Sequence, residues 1–197
     1  LSGVFRDYQY KFLCVYIDDL LVYSNSITTH CSHLQKIFNK VRKAQLRLNG
    51  PKSVFGVTEV RYLGHVLTRQ GLKVDSSKID AILSFPQPAT QAAVRSFVGI
   101  SQYYKRFCKD YAKMCAPLNR LLRKDVKFEW NEDCENSFQS LKRLLTTAPV
   151  LHFINLTKPV IITTDASLSA IGYVISQLGA DGREHPCFYG GRALHDS

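Results

Sequence analysis

The chain reads as an α+β protein, with antiparallel strands and helices in separate blocks. Three observations predict this. Two apolar runs, Phe12 to Ile17 and Leu20 to Tyr23, flank an acidic pair, Asp18-Asp19. The middle of the chain carries apolar residues at helical spacing. The final stretch returns to β-branched runs punctuated by Asp181-Gly182.

The first block runs to about Val74. Its opening runs are rich in β-branched and aromatic residues and read as a hairpin. Within a strand Asp18 and Asp19 would point to opposite faces, whereas at a two-residue turn they can sit together at the tip. Charge does not stay in an apolar setting without a partner. The pair is therefore either a solvated hairpin tip or a holder of cations. Thr28 or Thr29 can cap a helix whose Leu34, Ile37, Phe38 and Val41 share a face, with Lys36, Lys40, Arg42 and Lys43 on its other sides. Asn49-Gly50-Pro51 ends it. Ser53 to Val57 and Val60 to Leu67 read as strands, the second with Gly64 inside it, the mark of a bulge or of close backbone approach to a ligand. Gln70-Gly71 turns the chain.

The second block, about Asp75 to Lys124, reads as helical. Asp75 or Ser76 caps a short helix that ends at Phe85-Pro86-Gln87-Pro88. Thr90 caps the next, with Val94, Phe97, Val98, Tyr104 and Phe107 facing a core. Arg95, Gly99 and Tyr103, spaced i, i+4, i+8, lie on another face of that helix. A small residue between a guanidinium and a ring makes a slot suited to a nucleic-acid groove, or else a place where a second helix packs closely. Lys105, Arg106 and Lys109 add positive charge. Ala116-Pro117 reads as the start of a further short helix ending at Arg123-Lys124.

In the third block Asn131 caps a helix with Phe138, Leu141, Leu144 and Leu145 on one face. Val160 to Thr164 is a strong strand signal ending in Asp165-Ala166-Ser167, and Gly172 to Gln177 is another. Asp181-Gly182 then turns the chain towards Pro186-Cys187-Phe188-Tyr189.

Composition narrows the function. Of 197 residues, 45% are hydrophobic and 21% charged, which is globular. A net charge of +10 is not ordinary and implies an anionic partner, most simply nucleic acid. No basic helix has the strongly amphipathic form that a membrane surface selects, no apolar run is long enough to span a bilayer, and no secretion signal opens the chain. The cysteines Cys14, Cys31, Cys108, Cys115, Cys134 and Cys187 form no Cys-x-x-Cys pair and read as reduced thiols of an intracellular protein. His30 and His33 beside Cys31 are read as polar residues at a helix start rather than as a metal corner.

The order of these motifs resembles reverse transcriptases of gypsy-class LTR retrotransposon Pol polyproteins. Phe12 to Ser24 is similar to the catalytic hairpin with its Tyr-x-Asp-Asp signature, here Tyr16-Ile17-Asp18-Asp19. Leu63-Gly64-His65-Val66 resembles the primer grip. Phe97-Val98-Gly99 through Tyr103-Tyr104-Lys105-Arg106-Phe107 resembles the thumb. Ala116-Pro117-Leu118, Phe128-Glu129-Trp130 and Ala148-Pro149-Val150-Leu151 continue the pattern, and Thr164-Asp165-Ala166-Ser167 is similar to the first RNase H strand.

The resemblance implies a partial polymerase palm over residues 1–74, a helical thumb over 75–125, a connection over 126–158 and the first strands of an RNase H-like domain over 159–197. It implies template-directed nucleotidyl transfer with two Mg²⁺ ions, Asp18 the stronger ligand and Asp19 the weaker, and two more in a complete RNase H site that includes Asp165. Tyr16 would lie beneath the primer terminus. Lys52 would donate a proton to pyrophosphate, or else be a plain surface cation. Leu63, Gly64, Arg95, Gly99, Tyr103, Lys105 and Arg106 would contact nucleic acid. Retroviral relatives have Gln and Trp where this chain has Arg95 and Tyr103, and many family members have Cys where it has Ser53. The implied partners are RNA template, DNA primer, RNA–DNA hybrid, dNTPs and the remainder of the Pol polyprotein. The implied setting is cytoplasm or nucleus, including virus-like particles.

The family's earlier palm Asp and fingers do not precede Leu1, and of four RNase H acids only Asp165 is matched, Glu184 falling elsewhere. The isolated chain is therefore expected to be inactive, and its open sheet edges invite association, including as a dimer. The alternative is a non-catalytic nucleic-acid-binding remnant of a decayed or domesticated element.

Overall fold

The computed structural model describes residues 1–168 and 170–194, so Ser169 and the last three positions of the expected RNase H-like stretch lie outside the described residues. The chain divides into two compact units, residues 1–58 and 59–197.

The first unit packs a hairpin against one helix. Strands β1 (Leu13–Tyr16) and β2 (Asp19–Val22) pair antiparallel, Leu13 opposite Val22 and Tyr16 opposite Asp19. Helix α1 (Ile27–Lys43) is capped two or three residues earlier than expected: Ser26, not Thr28 or Thr29, accepts the Thr29 N–H, and the Ser26 hydroxyl in turn engages that of Thr29. Phe5, Phe12, Leu13, Ile37 and Val41 form the buried centre. The Phe12 ring stacks on His33 at 3.8 Å, and His30 and His33 both share the Ser24 hydroxyl, which accounts for these histidines structurally. Residues 53–57 form no strand. Ser53 instead closes the turn begun at Asn49, Gly56 is left-handed, and no neighbouring strand pairs with this segment among the described residues.

The second unit holds everything from the second sheet onward. Val60 to Leu67 is not one strand around a glycine bulge. It is a tight hairpin, β3 (Val60–Tyr62) and β4 (His65–Leu67), turning at Leu63-Gly64. Both turn residues have positive φ, 48° and 68°, the backbone of a type I′ turn whose twist suits paired strands. Strand β5 (Leu72–Val74) completes this sheet.

Helices α2 (Ser76–Leu83) and α3 (Gln91–Tyr103) start at Asp75 and Thr90, whose side chains accept the Ser77 and Ala93 amides. Helix α4 (Tyr111–Arg120) begins well before Ala116-Pro117, so Pro117 lies inside it. That proline removes one helical hydrogen bond. Helix α5 (Glu132–Thr146) lies alongside, with the Ser137 hydroxyl donating to the Met114 carbonyl.

Strands β6 (Ile161–Ala166), β7 (Ala170–Leu178) and β8 (Glu184–Ala193) form the last sheet, antiparallel in that order. A bulge near Ile175/Ser176 lets Cys187 stand as the extra residue beside Pro186. Among the described residues one apolar core serves the unit: Phe97, Phe107, Leu118, Phe138, Leu141, Leu145 and Leu151 are buried in it, and Leu72 of β5 and Tyr189 of β8 pack against it.

Phe138 lies 4.6 Å from the Phe97 ring and 5.8 Å from Trp130. Phe138→Ala is expected to destabilise this unit by about 3–5 kcal/mol, read as a lowered urea midpoint. A loss under about 1 kcal/mol would mean that the core is not centred there.

Candidate nucleic-acid and metal sites

In the first unit the hairpin tip is displaced by one residue from the sequence expectation. Because Tyr16 pairs with Asp19, the two-residue turn is Ile17-Asp18, and Asp19 opens the returning strand. Ile17 has φ 53° and is 76% exposed. A β-branched residue in this region is a true outlier, with a cost of about 1–3 kcal/mol that persists where function requires the geometry. Tyr16, Asp18 and Asp19 are all exposed. Neither carboxylate forms an ion pair or side-chain hydrogen bond among the described residues, so four oxygen atoms stay free to take a cation. Lys52 ends a 3₁₀ turn, Gly50–Lys52, and is exposed. No cluster of three or more His, Cys, Asp or Glu side chains suited to a metal occurs among the described residues.

In the second unit the Arg95, Gly99 and Tyr103 stripe is exposed along α3. A Cβ placed on Gly99 would meet nothing within 4 Å, so no second helix explains that glycine among the described residues. Lys105 and Arg106 follow in a short 3₁₀ turn, both exposed, with the Arg106 guanidinium 5.8 Å over the Phe188 ring. Leu63 and Gly64 sit against the end of α3. The Tyr103 hydroxyl donates to the Leu63 carbonyl, and the Tyr104 hydroxyl to the Gly64 carbonyl at 3.0 Å. Beside them the His65 ring stacks on Tyr103 at 5.2 Å and meets the edge of Tyr104 at 5.6 Å. Burial, with the Arg106 charge adding to it, lowers the His65 pKa below its ordinary value. Its Nδ1 is buried without a hydrogen-bond partner among the described residues.

Asp165 is exposed on β6, opposite Gly172, which is in turn opposite Gly191. Asp110, left-handed at φ 57° before α4, brings its carboxylate towards Gly172, and both acids line one cavity with Lys105 and Lys113. Glu184 is used locally, accepting from the Ser176 hydroxyl.

Sequence reasoning found Tyr103 but missed the part played by Tyr104 and His65. An x-Gly pair between two β-prone triplets was the available signal for a turn at Leu63-Gly64. Nothing in the sequence tied that turn to two tyrosines far along the chain.

Two family descriptions match this chain: "Reverse transcriptase (RNA-dependent DNA polymerase)" over residues 1–67, and "RNase H-like domain found in reverse transcriptase" over residues 130–197. The chain is 36% identical to the retrovirus-related Pol polyprotein from transposon opus of Drosophila melanogaster, over 99% of the chain and 20% of that protein. It is 34% identical to the corresponding polyprotein from transposon gypsy of the same fly, over 91% of the chain and 18% of that protein. It thus spans about a fifth of the length of these relatives. Its fold matches that of the foamy viral protease-reverse transcriptase in complex with RNA/DNA hybrid, with a TM-score of 0.83 and 20% identity over 99% of this chain and 26% of that one.

A histidine whose folded pKa is depressed binds its proton more readily once unfolded. Its contribution is therefore complete above the ordinary value of 6.5 and is lost as pH falls from there towards the folded pKa. His152 is lowered too, by burial first and then by the neighbouring His185 charge, so the test is a difference between variants. Stability of wild type should fall below about pH 6.5, and His65→Phe should lose part of that slope in urea titrations. Parallel pH profiles would contradict the burial assigned to His65.

Proposed function

Because residues 1–67 belong to the reverse transcriptase family and residues 130–197 to the RNase H-like domain found in reverse transcriptases, within one stretch that aligns with LTR-retrotransposon Pol polyproteins along its length, we propose that this chain serves RNA-directed DNA synthesis as the part of a Pol polymerase bearing its acidic hairpin, thumb and first RNase H-like strands. The observation that carries this is the strained Ile17 backbone, which holds two unpartnered carboxylates at an exposed turn. A purely structural hairpin would place Asn-Gly or Asp-Gly there.

The substrates are a primed RNA template and deoxynucleoside triphosphates. Two bound Mg²⁺ ions would supply activation of the primer 3′ oxygen and stabilisation of the leaving pyrophosphate. Asp18 and Asp19 offer the hard oxygen ligands such ions demand, Asp18 the stronger and Asp19 the weaker. Their remaining ligands would come from the rest of the Pol polyprotein. Tyr16 supports the primer terminus, and Lys52 hands a proton to pyrophosphate. Asp165 would help to hold the ions of the ribonuclease site, which would supply the same kind of chemistry for cleavage of the RNA strand.

Leu63, Gly64, Arg95, Gly99, Tyr103, Lys105 and Arg106 hold the RNA–DNA hybrid by shape and phosphate charge rather than by sequence. The open space over Gly99 supports this, because a duplex backbone can approach there. The site of action is intracellular, in cytoplasm or nucleus and within virus-like particles; the free state of all six cysteines fits a reducing compartment.

In a Pol protein carrying this chain, Asp18→Asn should lower primer extension on the order of a thousandfold while hybrid affinity stays within about threefold. Extension that survives the substitution would refute the catalytic role. If wild type binds hybrid but never extends a primer, the non-catalytic binding remnant replaces this reading. Hybrid affinity should also fall steeply as salt rises, because phosphate contacts release counterions. A flat salt dependence in a filter-binding titration would count against nucleic acid as the partner.

A further inference from the structure

The Leu63-Gly64 turn is held in a costly conformation. Leucine gains nothing from a φ of 48°, and a residue there persists only where its surroundings over-determine it. The surroundings are two adjacent tyrosines at the end of α3. Tyr103 and Tyr104 each donate a phenol proton to one of the turn's two carbonyls. A Cβ on Gly64 would lie 3.3 Å from the Tyr103 ring and its hydroxyl, so the ring rests directly on the turn. His65, just past the turn, is stacked against the same pair.

The two tyrosines are not equivalent. Tyr103 is 51% exposed, whereas Tyr104 is 2% exposed and sits in the apolar core. Tyr104 therefore cannot touch a nucleic acid, yet its hydroxyl reaches the turn.

We propose that Tyr104 is a positioning residue: its buried hydroxyl, with that of Tyr103, clamps the Leu63-Gly64 turn to the end of helix α3, so that the turn and the Arg95, Gly99 and Tyr103 stripe meet the primer–template duplex as one rigid body. The proposal rests on the polymerase reading for what the clamp serves, but not for the clamp itself. Burial, with the neighbouring Tyr103 and Asp75 charges adding to it, pushes the Tyr104 pKa up to about 12, so the phenol stays a donor at any working pH. Because Tyr103 spends its hydroxyl on Leu63, it presents the duplex with a ring and no free donor. That makes it a flat apolar surface suited to sliding along a groove.

The test removes single oxygen atoms. Tyr104→Phe and the Tyr103→Phe, Tyr104→Phe pair keep both rings and the core packing. In the chain itself, amide exchange of the peptide spanning residues 62–66 should quicken roughly tenfold in the double variant, while exchange in α5 is unchanged. In a Pol protein carrying the chain, Tyr104→Phe should slow single-turnover nucleotide addition roughly fivefold to tenfold with hybrid affinity and thermal midpoint held, a split that loss of fold would not produce. Unchanged exchange in both variants would overturn the clamp. Faster exchange with unaltered nucleotide addition would overturn its role in positioning. A wild-type protein that extends no primer would instead overturn the polymerase reading, and the exchange result would still decide whether the clamp exists.

Discussion

Between Leu72 and Leu151 the backbone pairs twice, at 2.7 and 2.9 Å, and the apolar core of the larger unit fills the loop of chain that this pairing closes. The closure leaves room for no side chain at Gly71, where φ is 148° and a Cβ would run into the Leu151 carbonyl. Helices α2 to α5 are thereby confined to one cluster, and the strands at either end of the loop share it. Helices α2 to α5 and the last sheet are not independent modules here, because Tyr189 of β8 packs on the same core as Phe97 and Phe138. A helix stripe such as Arg95, Gly99 and Tyr103 keeps its orientation because its opposite face, Val94, Phe97, Val98 and Ser101, is fully committed inward.

Both hairpin turns, at Ile17 and at Leu63, spend backbone free energy. Ile17 and Leu63 occupy a left-handed region that neither side chain favours. In the first unit the strain exposes two carboxylates that have no partner among the described residues. In the second it holds a turn whose carbonyls are already taken by tyrosines. The two cases differ in what stabilises them. The Leu63 turn has tyrosine donors, whereas among the described residues the Ile17 turn is held by the register of its hairpin. A bound cation would add to that support, which links the conformation to the chemistry proposed for it.

Much of the fold is legible in the sequence because local side chains decide local structure. Asp75, Thr90 and Asn131 cap the helices they precede, since each places an oxygen within reach of a free amide. The apolar spacing of α3 and α5 gave their buried faces. The failures are equally physical. Ser53 to Val57 has strand-forming residues but no strand beside it. Pro117 looked like a helix start because proline favours the first turn, yet α4 begins at Tyr111 and runs through it. Gly64 looked like a bulge because a lone strand glycine does, and only pairing of Tyr62 with His65 made it a turn.

By itself the sequence determined the acidic pair, the basic charge, most of the helices and strands and the resemblance to reverse transcriptases of Pol polyproteins, because these rest on residue identity and spacing along the chain. Tertiary structure alone decided that the first hairpin turns at Ile17-Asp18, that Gly99 opens to solvent, and that Tyr103 and Tyr104 hold a turn some forty residues away in the chain. Register and long-range hydrogen bonds depend on which surfaces meet once the core closes, and no local propensity encodes that meeting.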